Sequence, residues 1–303
     1  MAPPECLFDH SDELGEGPVW DTRQQRLLWV DILAGRLLRA APQPAAPVEV
    51  LEFGRPLGCA VPHVDGSTWL ALSDGVWRLA AGAAQPTPIA QPPRAVHGPQ
   101  HRFNDGKCDA LGRFWLGTTL LDEAPGGGRL YCLDLDGQLH QVLDGITVSN
   151  GLGWSPDNRT FYYIDSPTRR VQAFDFDLAS GQLGRGRTLI DFGEQPGVPD
   201  GLAVDSEGAL WIAHWDGYRL SRWSAEGVLL AWVELPVARV TSCAFYGARL
   251  EQLLITTARV GLDDSARQAQ PLAGRSFRLD PGVTGQAVSA CRVRVPDHPQ
   301  ESA

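Results

Sequence analysis

Four short motifs carry side chains fit for chemistry: LGEGPVW around Glu16, FNDGK around Asn104, SNGL around Asn150 and PDGL around Asp200. Two carboxylates and two carboxamides are hard oxygen donors, a set that suits Ca2+, Mg2+ or Mn2+ and admits Zn2+ through its affinity for carboxylate. Taken singly, each motif also reads as a turn, because Asn-Gly and Asp-Gly are common turn formers and Glu16 between two glycines suits a solvated loop. Their spacing weighs against turns. With Gly58 and Ser242 as the remaining members, the anchors Glu16, Gly58, Asn104, Asn150, Asp200 and Ser242 are separated by 42, 46, 46, 50 and 42 residues. Turns alone would not require an acid or an amide at one phase of a repeat.

A period of this length belongs to propeller blades. Each repeat has the same internal logic: a β-forming run such as Leu202-Ala203-Val204, a polar hairpin turn such as Asp205-Ser206-Glu207-Gly208, and a second run such as Leu210-Trp211-Ile212-Ala213. A lone four-stranded blade cannot bury both faces, so blades stack radially around a channel and cover one another. The expected fold is therefore all-β, a six-bladed β-propeller. If each anchor opens the innermost strand of its blade, Glu16, Asn104, Asn150 and Asp200 meet at one mouth of the channel and form a central metal site.

Composition agrees, since 33 Gly and 23 Pro supply turns while ten Trp and ten Phe can fill the wedges between blades. No linker or low-complexity tract divides the 303 residues, and the Ala- and Pro-rich stretch 40–48 is short enough to be a loop, so residues 1–303 read as one domain. A net charge of −10 argues against nucleic acid or an anionic membrane as partner. No apolar run approaches the roughly 20 residues of a membrane span, and the N-terminal segment lacks the pattern of a secretory signal, so a cytoplasmic location is the default. Glu5 and Asp9 suit a solvated first strand. The six cysteines form no CxxC pair and read as free thiols. There is no GxSxG elbow and no HExxH spacing. His101 reads as a solvated loop residue and His214-Trp215 as either packing or pocket lining, and neither joins the catalytic set.

The segments LGEGPVW, RFNDGKCDALGRFWLGT, SNGLGWSPD with FYYIDS, PDGLAVDSEGALWIA, and VTSCAF with TTAR resemble those of the gluconolactonase/regucalcin family of sugar lactonases, from about Leu14 to about Asp280. The resemblance implies one divalent cation (Ca2+, Zn2+, Mg2+ or Mn2+) held by Glu16, Asn150 and Asp200, hydrolysis of a sugar lactone, Asn104 near metal and substrate, and Arg102 on the substrate hydroxyls. One departure stands out: after the family's GT the chain reads TLLDEAPGGG, so Asp122 falls near the position of an acidic substrate contact, with Glu123 beside it and Leu120 and Leu121 making the rim more apolar. Such a cation polarises a lactone carbonyl, and Asp200, both ligand and carboxylate, is the expected general base. The expected partner is a small-molecule lactone, with no obligate protein partner. Two alternatives keep the metal site: a calcium-binding protein without turnover, and a related propeller acting on other esters or organophosphates. A scaffold propeller is disfavoured because the blades lack the Gly-His and Trp-Asp repeat signatures.

Overall fold

The structure is a computed structural model that describes residues 2–287 and 289–295. Six four-stranded sheets follow one another along the chain, each strand antiparallel to its neighbours. The inner strands of blades one to six are Gly15–Asp21, Leu57–Pro62, His101–Cys108, Ser149–Trp154, Val198–Val204 and Val240–Tyr246. The sixth blade takes its outermost strand from the N-terminus: Glu5–Cys6 pairs with Phe277–Leu279, Glu5 lying opposite Arg278. That closure ties the N-terminal strand to the last blade. The six-bladed propeller expected from the repeat is thus the observed fold, and the expected exposed first strand at Glu5 belongs to its last blade.

Apolar side chains fill the wedges between blades. Between blades three and four the Trp115 ring lies 5.8 Å from Trp154, 5.3 Å from Phe161 and 5.8 Å from Phe176, with interplanar angles from tilted to edge-on, so the rings interlock rather than slide. The hairpins after the inner strands are organised by buried acids. Asp205 accepts the amides of Glu207 and Ala209 with one oxygen and the Trp211 indole N–H with the other, at 2.9–3.0 Å. Asp109 does the same for Leu111, Arg113 and Trp115 at 2.9–3.1 Å. Both turns therefore share the pattern D-x-x-G-x-x-W, in which one carboxylate satisfies the turn amides and pins the first tryptophan of the next strand.

The inner strands place the anchors. In every blade the ladder between the first two strands slips at the anchor: between Glu16 and Val19, Leu57 and Cys59, Phe103 and Gly106, Ser149 and Leu152, Pro199 and Leu202, and Val240 and Ser242. A bulge re-aims side chains that regular pleating would send into the wedges. It also brings neighbouring anchors together. A Cβ on Gly151 would lie 2.6 Å from the Asp200 carbonyl oxygen, and one on Gly201 would lie 2.1 Å from Ser242 Oγ. The glycines of SNGL and PDGL are thus required by close approach of the next blade, not by a turn, which corrects the turn reading of these motifs. The ring closes where Thr241 Oγ1 donates to the Gly15 carbonyl at 2.6 Å.

Candidate metal and substrate site

The four chemically competent anchors converge as the repeat requires. Glu16, Asn104, Asn150 and Asp200 are each 4–5% exposed. Asn104 Nδ2 donates to Asn150 Oδ1 at 2.9 Å and to the Ser149 carbonyl at 2.8 Å, joining blades three and four. Asn150 Nδ2 donates to Ser166 Oγ at 2.8 Å, and the Ser166 hydroxyl donates to the Pro199 carbonyl at 2.7 Å, one residue before Asp200 in blade five. Glu16 accepts the Gly17 amide at 2.7 Å, and its charge bears on Asp200.

Burial and like charge dominate the electrostatics. Removal from water, reinforced by the nearby charge of Asp105, pushes the Glu16 carboxyl up to about 8. Burial, with the charges of Glu16 and Asp105, raises Asp200 well above the ordinary carboxylate range. Asp105 is raised by burial and held back by Lys107. Three buried carboxyls this close cannot all ionise without added positive charge. One Asp200 oxygen, Oδ1, is buried with no hydrogen-bond partner. A divalent cation fits both features: it would give Oδ1 a partner and neutralise the cluster, with Asn150 adding an uncharged oxygen. Among the described residues no three His, Cys, Asp or Glu side chains gather at metal-ligand spacing. The candidate set has only two such groups and relies on a carboxamide for its third.

Arg102 sits beside these anchors, 6% exposed, and its Nη1 donates to Asn104 Oδ1 and to the Phe103 carbonyl. Burial lowers its pKa, opposed first by the charge of Glu123 and then by Glu16 and Asp200. Glu123 is exposed, as Asp122 is, and its charge reaches both Arg102 and Asp200. Its backbone is left-handed, with φ of +54°, an uncommon conformation for a non-glycine residue. Asp122 is exposed and accepts the Ala124 amide at 3.1 Å, organising its own turn.

The sequence reading passed over three residues. Asp105 lies in the bulge of the NDGK motif and Lys107 just after it, and Lys107, the only lysine in the chain, donates to the Leu202 carbonyl at 2.8 Å. Composition could have flagged Lys107, since every other basic residue is arginine. Ser166 lies outside the repeat phase of the anchors and gave no such signal. A cavity of about 600 Å³ opens at the opposite end of the channel, among Trp20, Val61, Trp154, Val204 and Phe245. Asp105 and Lys107 line it, whereas Glu16, Arg102, Asn150 and Asp200 do not.

The histidines take structural places. His101 is not a loop residue: it begins the inner strand of blade three, its Nδ1 accepts the Gly98 amide at 3.1 Å, and Nε2 lies 3.2 Å from the Gly127 carbonyl. His214 is packing, buried with Nε2 2.7 Å from Ser221 Oγ and its ring edge-on to Phe192; burial depresses its pKa to about 3. None of the six cysteines is in a disulfide. Among the described residues no helix is long and apolar enough to cross a membrane.

Comparison with known proteins shows the family of the chain. The family model described as SMP-30/Gluconolactonase/LRE-like region matches residues 14–259. Regucalcin of Danio rerio is 37% identical over 293 residues, covering 94% of this chain and 95% of that one. The pentonolactonase XacC of Haloferax volcanii is 36% identical, covering 95% of this chain and 98% of its own. Among solved structures, a luciferin-regenerating enzyme superposes with a TM-score of 0.86 at 31% identity, covering 96% of this chain and 100% of that one. A calcium-binding protein, regucalcin, from Agrobacterium tumefaciens gives a TM-score of 0.88 at 27% identity, covering 97% of each chain.

Proposed function

Because the chain belongs to the SMP-30/gluconolactonase/LRE-like family, we propose that it is a divalent-cation-dependent lactonase that opens a sugar lactone to the aldonic acid. In this reading it acts in the cytoplasm as a single propeller domain. The observation that carries the proposal is the convergence of Glu16, Asn150 and Asp200 from three blades beside Arg102, with Asp200 Oδ1 unpartnered. Glu16, Asn150 and Asp200 hold the cation. Bound there, it supplies Lewis-acid polarisation of the lactone carbonyl and the positive charge that lets Glu16 and Asp200 ionise.

The chain's own groups do the rest. Asp200, as carboxylate, takes a proton from the attacking water and returns it to the ring oxygen as the C–O bond breaks. Arg102 and Asn104 hold the sugar hydroxyls, and Glu123 supplies the acidic contact in place of the turn-forming Asp122. A polyhydroxylated substrate suits this set, because buried polar groups left unpaired by an apolar ester would be penalised.

The test is proton release from a panel of pentono- and hexonolactones by protein stripped with a chelator and then given Ca2+, Mg2+, Mn2+ or Zn2+ in turn. Activity that vanishes on stripping and returns with at least one cation supports the reading; full activity in metal-free protein refutes it. The same ligand set favours a second reading, calcium binding without turnover, supported by the calcium-binding relative. Tight Ca2+ binding with no hydrolysis under any cation would select it.

A further inference from the structure

Arg102, Asn104, Asn150 and Ser166 form a chain of hydrogen bonds with a single direction. Arg102 Nη1 donates to Asn104 Oδ1, Asn104 Nδ2 to Asn150 Oδ1 at 2.9 Å, Asn150 Nδ2 to Ser166 Oγ at 2.8 Å, and the Ser166 hydroxyl to the Pro199 carbonyl at 2.7 Å. Both ends enforce the direction. A guanidinium can only donate, and a carbonyl can only accept. Since the Ser166 proton is committed to Pro199, its oxygen is left to accept, and the Asn150 amide must turn its NH2 toward Ser166. Its Oδ1 then faces Asn104 and the channel mouth. In a carboxamide the oxygen and nitrogen are told apart only by such partners.

We propose that Ser166 is a positioning residue for the metal site: it fixes the orientation of the Asn150 amide so that oxygen, and not NH2, is offered to the cation. The inference rests on the proposed metal site. Ser166 is well placed for the task. It is 6% exposed and opens a 3-10 turn, Ser166–Thr168, directly after the second strand of blade four. Its amide donates to the Val148 carbonyl at 3.2 Å, and the carboxylate of the preceding Asp165 accepts the Val148 amide at 2.8 Å, so the turn is clamped to the start of the strand that carries Asn150. By bonding the Pro199 carbonyl it also ties that turn to the residue before Asp200, coupling two of the three ligands. Without the hydroxyl, the Asn150 NH2 loses its acceptor and nothing on that side opposes rotation of the amide.

The experiment is calorimetric titration of chelator-stripped protein with CaCl2 and with MnCl2, alongside urea unfolding of the metal-free forms. Ser166→Ala should raise Kd for both cations by about 10–100-fold, the range found when partners that orient a ligand are removed. Ser166→Thr, which keeps the hydroxyl, should stay within about threefold. Ser166→Cys keeps the size but offers a poor acceptor, and should follow Ala if the Ala variant does not fold. A lower metal-free urea midpoint with unchanged Kd in the Ala or Cys variant would mean that Ser166 only packs, and would overturn the inference. Failure of the unaltered protein to bind either cation would instead refute the metal reading, so the two failures are distinguishable.

Discussion

Replacing Gly201 with alanine tests how the blades bring the ligands together. A Cβ at this position would stand 2.1 Å from Ser242 Oγ, 2.5 Å from Ser242 Cβ and 2.8 Å from Ser242 Cα. Rotating the serine hydroxyl relieves the first contact but neither of the others, which belong to its anchored base. Ordinary carbon contacts lie at about 3.5–4.0 Å, so the inner strands of blades five and six must part by about 1 Å. Overpacking of this kind costs about 1–3 kcal/mol, and each kcal/mol lowers Tm by about 2–4 °C in a large domain. Because Gly201 follows Asp200, the same displacement moves that carboxylate relative to Glu16 and Asn150, and should weaken divalent-cation binding by about tenfold or more. Gly98→Ala is the control, since its Cβ meets nothing within 4 Å. Calorimetric Tm and cation titration of the two variants give the answer. A Gly201→Ala protein with unaltered Tm and Kd would refute the account of close blade approach and return the PDGL motif to an ordinary turn.

Other perturbations separate the roles of the site residues. In metal-free protein the folded-state Glu16 carboxyl sits near 8 against an ordinary 4.5. The unfolded chain therefore releases this proton first, and stability falls by up to about 1.4 kcal/mol per pH unit between those values, with no contribution below 4.5. Stabilisation by added cation, read from urea midpoints with and without chelator, should accordingly grow from pH 5 to pH 8, and a pH-independent gain would refute it. Glu16→Gln should weaken cation binding with activity partly recovered at high metal, whereas Asp200→Asn should stay inactive when saturated; equal rescue would reduce Asp200 to a ligand. Arg102→Leu and Glu123→Ala should raise KM on aldonolactones by about tenfold or more relative to an unsubstituted lactone, while Asp122→Ala should leave the ratio unchanged. Equal losses on both substrates would assign these side chains to structure and not to selectivity.

The fold and the anchors were legible in the chain because a propeller is a repeat, and a repeat writes its geometry as a period. Glu16, Asn104, Asn150 and Asp200 share a phase, and that phase is the bulged start of an inner strand. Local pattern was less reliable. Asn-Gly and Asp-Gly read equally well as turns, and only the neighbouring blade, lying within 2.1–2.6 Å of a would-be Cβ at Gly151 and Gly201, shows why glycine is needed.

What tertiary structure alone decided involves partners distant in sequence. Asp105 is a short step from Asn104 along the chain, yet its influence on Glu16 comes from burial at the shared axis. The influence of the Glu123 charge on Arg102, and the use of Asp122 to accept the Ala124 amide, follow from how one rim loop turns, which spacing from the GT motif cannot specify. Ser166 is 16 residues from Asn150 and its proton goes to blade five, 33 residues onward. Period reports which residues occupy equivalent places in successive blades. Hydrogen-bond direction, burial and charge depend on contacts between non-equivalent places, and those exist only once the ring has closed.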